Sequence, residues 1–112
     1  MFSPSSRVRV YACLEPVDMR KSFSGLSGLV RGVLKEDPLS GHAFLFFNRP
    51  RTYLKILWWD VSGYCIVAKR LARGTFGAVA KESLTVGELQ QVLAGVELQK
   101  VTRRRQYEYF PP

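Results

Sequence analysis

Residues 53–73 limit the possible folds more than any other part of the chain. They consist of two apolar runs, 53–59 and 64–71, joined by Asp60-Val61-Ser62-Gly63. Both runs are rich in aromatic and β-branched residues, and a short connection that contains Asp, Ser and Gly suits a tight turn. The pattern therefore predicts a β-hairpin.

The register of this hairpin can be set by pairing Asp60 with Tyr64. Trp58 then faces Ile66, and Lys55 faces Lys69. Two ammonium groups opposed across a ladder repel each other, which weakens the sheet unless an anion or a carboxylate lies nearby. Two readings stay open, one in which both lysines extend into water and one in which they bind an anion such as phosphate.

Three elements are predicted before the hairpin. Residues 7–13 alternate apolar and polar side chains, as a half-buried strand does. Apolar residues at helical spacing over residues 19–34 predict an amphipathic helix, with Asp18 as its N-cap. This helix contains Gly25, Gly28 and Gly32, which indicates either close approach of another backbone or stability gained mainly from packing. Ala43–Phe47 is an apolar run that predicts another strand.

After the hairpin, residues 77–83 are weakly patterned and predict a loop or a short edge strand. Thr85 and Glu88 form a capping box that begins a second helix, and Gly95 suits its end. The predicted fold class is α+β, an antiparallel β-meander plus an N-terminal strand, packed with two helices. At 112 residues the chain is long enough for one domain, predicted over residues 1–98, with a basic and aromatic tail over residues 99–112.

Both faces of the predicted meander are apolar. One face carries Phe44, Phe46, Leu57 and Trp59 together with Cys65 and Val67, and the other carries Leu45, Ile56, Trp58 and their neighbours, including Ile66. An antiparallel sheet with one face in water alternates apolar and polar residues, so each face here needs a cover. The first helix can cover one face, and the other needs the later helix or another protein chain.

The chain is strongly basic, with 17 Lys and Arg residues against 9 Asp and Glu and a net charge of +8. This excess favours nucleic acid or an anionic surface as a partner. The candidate nucleic-acid-binding residues lie at the start of the first helix, in the loop before the hairpin, on the hairpin and in the tail. They are Arg20, Lys21, Arg49, Arg51, Lys55, Lys69, Arg70, Arg73, Arg103, Arg104 and Arg105.

No pattern in the sequence indicates catalysis, a cofactor or a metal site. The carboxylates do not form a spaced set that could hold two metal ions, His42 stands alone in a loop, and Cys13 and Cys65 lack a CxxC partner. No run approaches the roughly 20 apolar residues of a membrane span. We therefore expect a non-catalytic, cytoplasmic protein with reduced core thiols.

Two specific runs carry a resemblance to a known family. The first is Pro16-Val17-Asp18-Met19-Arg20-Lys21-Ser22-Phe23, and the second joins Lys55-Ile56-Leu57-Trp58-Trp59-Asp60 to Lys69-Arg70-Leu71, with Gly74 and Phe76 beyond it. Together they resemble the accessory protein of the insertion sequence 66 family of bacterial mobile elements, the product of the second open reading frame, often called TnpB. The resemblance implies a small protein encoded beside a separate transposase that assists movement of the element, and it implies no catalytic residues.

Two functional hypotheses follow. In one, the protein contacts DNA at element ends or flanking duplex through the basic residues named above, mainly by phosphate contacts. In the other, it is a protein-interaction scaffold whose face around Phe44, Phe46, Leu57 and Trp59 docks on the transposase or on a second copy, as a homodimer, without contacting DNA.

Overall fold

The computed structural model describes residues 7–94, which form one five-stranded sheet with helices on both faces. The strands are β1 (Val10–Ala12), β2 (Ala43–Phe47), β3 (Tyr53–Asp60), β4 (Gly63–Arg70) and β5 (Ser83–Leu84), and the helices are α1 (Phe23–Leu29), continued by a π-helical turn (Val30–Leu34), and α2 (Val86–Leu93). The strand order is β4-β3-β2-β1-β5. β1 and β2 are parallel and all other neighbours are antiparallel. The α+β prediction is confirmed.

The strands β2 and β3 separate two hydrophobic cores. Phe44, Phe46 and Leu57 point toward α1 and its π-helical turn, while Leu45 and Ile56 point toward α2 and the segment that precedes β5. Phe76 from that segment is fully buried on the α2 side. Both faces are therefore covered by the chain itself, and the later helix supplies the second cover that the sequence required.

The hairpin closes through two residues, Val61 and Ser62, because Asp60 pairs with Gly63. The predicted pairing of Asp60 with Tyr64 is wrong by one residue. A slip of one residue moves every side chain of a strand to the other face, so Ile66 packs on the α1 side and Cys65 lies opposite Trp58 on the α2 side.

The predicted opposition of Lys55 and Lys69 is also wrong. Lys55 pairs with Ala68, and Lys69 pairs with Leu54. Neighbouring residues of a strand point to opposite faces, so the two ammonium groups lie on opposite sides of the sheet. No repulsion across the ladder arises, and no anion is needed to relieve it.

Helix α1 begins later than the apolar periodicity predicted, after an N-cap at Ser22. Asp18 is not the N-cap, because it closes a turn before the helix: its carboxylate accepts the Arg20 N–H at 2.9 Å and its carbonyl accepts the Lys21 N–H at 3.1 Å. Arg20 and Lys21 consequently precede the helix and do not lie in its first turn.

The interior glycines of this helix have no second backbone against them. A methyl group at Gly28 or Gly32 would meet no atom within 4 Å outside the helix backbone and the adjacent residues. At the start of α2 the predicted capping box is present, since Thr85 accepts the Glu88 N–H at 3.0 Å and Glu88 accepts the Thr85 N–H at 2.9 Å. The predicted helix end at Gly95 lies outside the described residues.

Val61 at the hairpin tip is a β-branched residue in the left-handed region, with φ at 53° and 90% of its surface exposed. Such a conformation costs about 1–3 kcal/mol for a side chain with a branched Cβ. We expect Val61→Gly to raise the free energy of unfolding by about 1 kcal/mol, because the relief of strain exceeds the added entropy of the unfolded chain. Urea denaturation would measure the change.

Ser62→Gly is the matched control, since Ser62 does not have a positive φ. It should leave the stability unchanged or lower it slightly. An unfolding midpoint for Val61→Gly at or below that of the unmodified protein would contradict the assignment of strain.

Candidate nucleic-acid interface

Basic side chains gather at one end of the sheet, where β2 ends, β3 begins and β4 ends. The turn before α1 lies at the same end, because the Val17 N–H donates to the Phe47 carbonyl at 2.8 Å. The segment after β4 is tied there as well, by the Leu71 N–H on the Thr52 carbonyl at 2.8 Å. We call this surface the basic end; it comprises Arg20, Lys21, Arg49, Lys55, Arg70 and Arg73.

Two lysines of the basic end are joined through the main chain. Lys55 Nζ donates to the Lys21 carbonyl at 2.8 Å, which links β3 to the turn before α1. The stem of Lys21 lies against the helix, where a Cβ at Gly25 would approach the Lys21 Cβ to 3.1 Å. The absence of a side chain at Gly25 therefore leaves room for the Lys21 side chain. The side chains of Lys21 and Lys55 are both held on the α1 side.

Arg20 forms an ion pair with Asp18, at 2.7 Å between Nη2 and Oδ2. The Arg20 guanidinium and backbone N–H hold the pKa of the Asp18 carboxyl well below its usual range. The Arg20 side chain is 91% exposed, and exposed pairs of this kind contribute little to stability. A phosphate oxygen can thus compete with the carboxylate for this guanidinium.

Arg51, although predicted to bind nucleic acid, is bound to its own chain. Its guanidinium lies over the Phe47 ring at 4.2 Å from the centroid, and it donates to the carbonyls of Phe76, at 3.4 Å, and Gly77. The Phe76 N–H in turn donates to the Arg51 carbonyl at 2.8 Å. This arginine fastens the segment that carries Phe76 to the sheet, so its role in the described structure is to hold the fold.

Arg49, in the same loop, is exposed. Arg70 is also exposed, and its guanidinium lies 4.3 Å from the centroid of the Tyr53 ring. Lys69 lies on the α2 side, where its Nζ donates to the carbonyl of Leu93. This bond places the end of α2 at the same end of the sheet. Residues Arg103, Arg104 and Arg105 lie outside the described residues.

The acidic residues lie mostly elsewhere. Asp60 lies at the hairpin tip, and Glu36 and Asp37 lie before β2, both at the opposite end of the sheet. Glu15 and Glu82 lie near Cys13 beyond β1, where burial raises the pKa of the thiol. Glu15 and Glu82 lie where β1 ends, at the same end of the sheet but on its β1 side, away from β3 and β4. Asp18 is therefore the acid among the residues of the basic end, and these two glutamates lie to one side of it.

The apolar face predicted as a protein interface is mostly inside the protein. Phe44, Phe46 and Leu57 are fully buried beneath α1. These three side chains therefore do not form an exposed docking surface in this fold. Trp59 is half-buried, with its ring edge-on to Tyr64 at 5.1 Å between centroids.

Within residues 7–94 no three His, Cys, Asp or Glu side chains come together as metal ligands would. His42 accepts the Arg9 N–H on Nδ1 at 3.0 Å, which fixes the start of β1 against the start of β2. None of the helices in this range has the length and apolarity needed to cross a membrane.

Comparison with known proteins agrees with the motifs in the sequence. The pattern of the family described as IS66 Orf2 like protein matches residues 8–103. The chain belongs to this family. Two relatives of the IS66 Orf2 like chain come from Sinorhizobium fredii (strain NBRC 101917 / NGR234), and both are called uncharacterized proteins.

The first relative, y4hO, is 36% identical over 104 residues, which cover 87% of this chain and 88% of the relative. The second, y4jC, is 31% identical over 111 residues, which cover 93% and 92%. No solved structure matches the chain. Membership of the IS66 Orf2 like family identifies a transposition-associated accessory protein.

The two arginines of the loop between β2 and β3 provide a direct test of their different roles. We expect Arg51→Ala to lower the free energy of unfolding by about 1–3 kcal/mol, because it removes a ring contact and leaves the Phe76 and Gly77 carbonyls without this donor. Arg49→Ala should change it by less than about 0.5 kcal/mol, as exposed substitutions usually do. Urea denaturation of both variants gives the comparison, and equal losses would refute the assignment.

Proposed function

We propose that the chain is a non-catalytic accessory protein for the transposition of a bacterial insertion sequence, and that it contacts DNA phosphates through the basic end. The observation that carries the proposal is the convergence of six Lys and Arg residues from four segments on one end of the sheet. These segments are the turn before α1, the loop before β3, β3 itself and the end of β4 with the residues after it. DNA as the partner implies a cytoplasmic location in a bacterium.

The arrangement suits phosphate contact more than the reading of bases. The cations are spread over loops and strand ends, and no helix or strand of the described chain projects from the basic end toward a groove. Contacts to phosphates fix the position of a protein on a duplex and carry little sequence information. The proposal therefore assigns the protein a supporting role in DNA contact, with the choice of the element's ends and the chemistry left to the transposase as its protein partner.

Fluorescence anisotropy with labelled duplex, titrated across salt, tests the proposal. If five cations each contact one phosphate, the logarithm of the association constant falls against log salt with a slope of about −4.5, which is about a 500-fold loss between 50 and 200 mM salt. Duplex from the element's own end should bind about as well as scrambled duplex. Stronger binding to the element end would show base reading and would contradict the phosphate-only proposal.

Matched double variants assign the effect to the basic end. Lys21→Gln with Arg49→Gln removes two charges from it and should reduce the slope to about −2.7. Arg31→Gln with Lys35→Gln removes the same charge from the other end of the helical segment and should leave the slope nearly unchanged. Equal effects of the two pairs would indicate general attraction by net charge. No binding at physiological salt would favour a scaffold that contacts the transposase without DNA.

A further inference from the structure

Asp18 is held within the basic end by the backbone around it. The Val17 N–H donates to the Phe47 carbonyl at 2.8 Å, which ties the preceding residue to the end of β2. The Asp18 carbonyl accepts the Lys21 N–H at 3.1 Å, and Oδ1 of its carboxylate accepts the Arg20 N–H at 2.9 Å. A turn of this kind fixes a carboxylate relative to its own main chain. The position of the carboxylate therefore does not depend on the Arg20 side chain.

The Arg20 side chain binds this carboxylate along one edge of its guanidinium. Nε lies 3.0 Å from both carboxylate oxygens, and Nη2 lies 2.7 Å from Oδ2. Arginine binds carboxylates and phosphates alike through such a two-point contact. The hydrogen bonds from Arg20, with the charges of Arg20 and Lys21, hold the pKa of the Asp18 carboxyl well below its usual range. The carboxylate thus occupies a place at which these cations favour a negative charge.

Two other cations of the basic end meet neutral groups instead. Lys55 donates to a main-chain carbonyl, and Arg70 lies over the Tyr53 ring. A neutral partner leaves the charge of a cation available to a phosphate, whereas a carboxylate cancels it. With Arg20 held by Asp18, five cations of the basic end are left, the number from which the slope of about −4.5 follows.

We propose that the Asp18 carboxylate takes the place of a phosphate group in the basic end and keeps Arg20 from contributing to DNA binding. This inference deepens the proposed contact with DNA and, in its effect on DNA affinity, rests on it. A phosphate that took over Arg20 would lie beside the ionised Asp18 carboxylate, and the two like charges would repel each other. The exposed ion pair itself contributes little to stability, so this repulsion is what limits the exchange. Asp18 therefore lowers the number of phosphates that the basic end neutralises.

Asp18→Asn tests the proposal, because the amide removes the charge and keeps an oxygen that can accept the Arg20 N–H. In the duplex titration, the slope should steepen from about −4.5 to about −5.4, so that the loss of affinity between 50 and 200 mM salt grows from about 500-fold to about 1,800-fold. Asp18→Ser keeps a hydroxyl acceptor for the turn and should act in the same direction. An unchanged slope in both variants would overturn the proposal, since Arg20 would then already contact a phosphate in the unmodified protein.

Asp37→Asn is the matched control, because Asp37 closes the same kind of turn at the other end of the sheet. Its carboxylate accepts the Leu39 N–H at 2.9 Å, and its carbonyl accepts the Ser40 N–H at 3.1 Å. The control removes the same charge and should leave the slope near about −4.5. Equal steepening in the two asparagine variants would show a general effect of net charge and would overturn the proposal. Steepening that survives in Asp18→Asn combined with Arg20→Gln would also overturn it.

Inorganic phosphate tests the site without DNA. Titrated into the isotope-labelled protein and followed by NMR, it should shift the Arg20 Nε–H resonance of Asp18→Asn saturably and leave that of the unmodified protein and of Asp37→Asn nearly unmoved. Equal shifts in the three proteins would overturn the proposal. Phosphate binding by Asp18→Asn alone, with no duplex binding by any of the proteins, would reject the proposed DNA contact and support the role of Asp18. Duplex binding that does not respond to Asp18→Asn would reject this inference alone.

Discussion

The complete burial of β2 is the constraint on which the rest of the structure depends. All five of its residues, Ala43–Phe47, are buried, and none carries a polar side chain on either face. Each large apolar side chain gains roughly 1.5–3 kcal/mol from such burial, so both faces must be covered at once. The parallel pairing of β1 with β2 requires a crossover, and this crossover contains α1, which covers one face. The segment around Phe76 and α2 cover the other.

The same arrangement decides where the charges lie. Antiparallel neighbours bring the end of β2, the start of β3 and the end of β4 to one end of the sheet. The crossover also begins there, because β1 is parallel to β2, and it stays at that end until α1 begins. The Arg51 guanidinium holds the Phe76 segment in place, and the Arg51 backbone adopts a φ of 62°. Arg49, two residues earlier, extends into solvent. One loop therefore serves both the core and the surface, and its two arginines are not equivalent.

Local patterns in the sequence predicted the elements well, and long-range contacts account for what they missed. Apolar runs gave the bounds of β2, and Thr85 with Glu88 gave the start of α2. The hairpin register was missed because it depends on Val61 adopting a left-handed conformation, which a β-branched residue rarely does. The role of Arg51 was missed because its partners lie 25 and 26 residues away. The sequence could predict that the described candidate cations lie near one another, because most of them lie in loops and at strand ends. It could not predict which groups each of their side chains contacts.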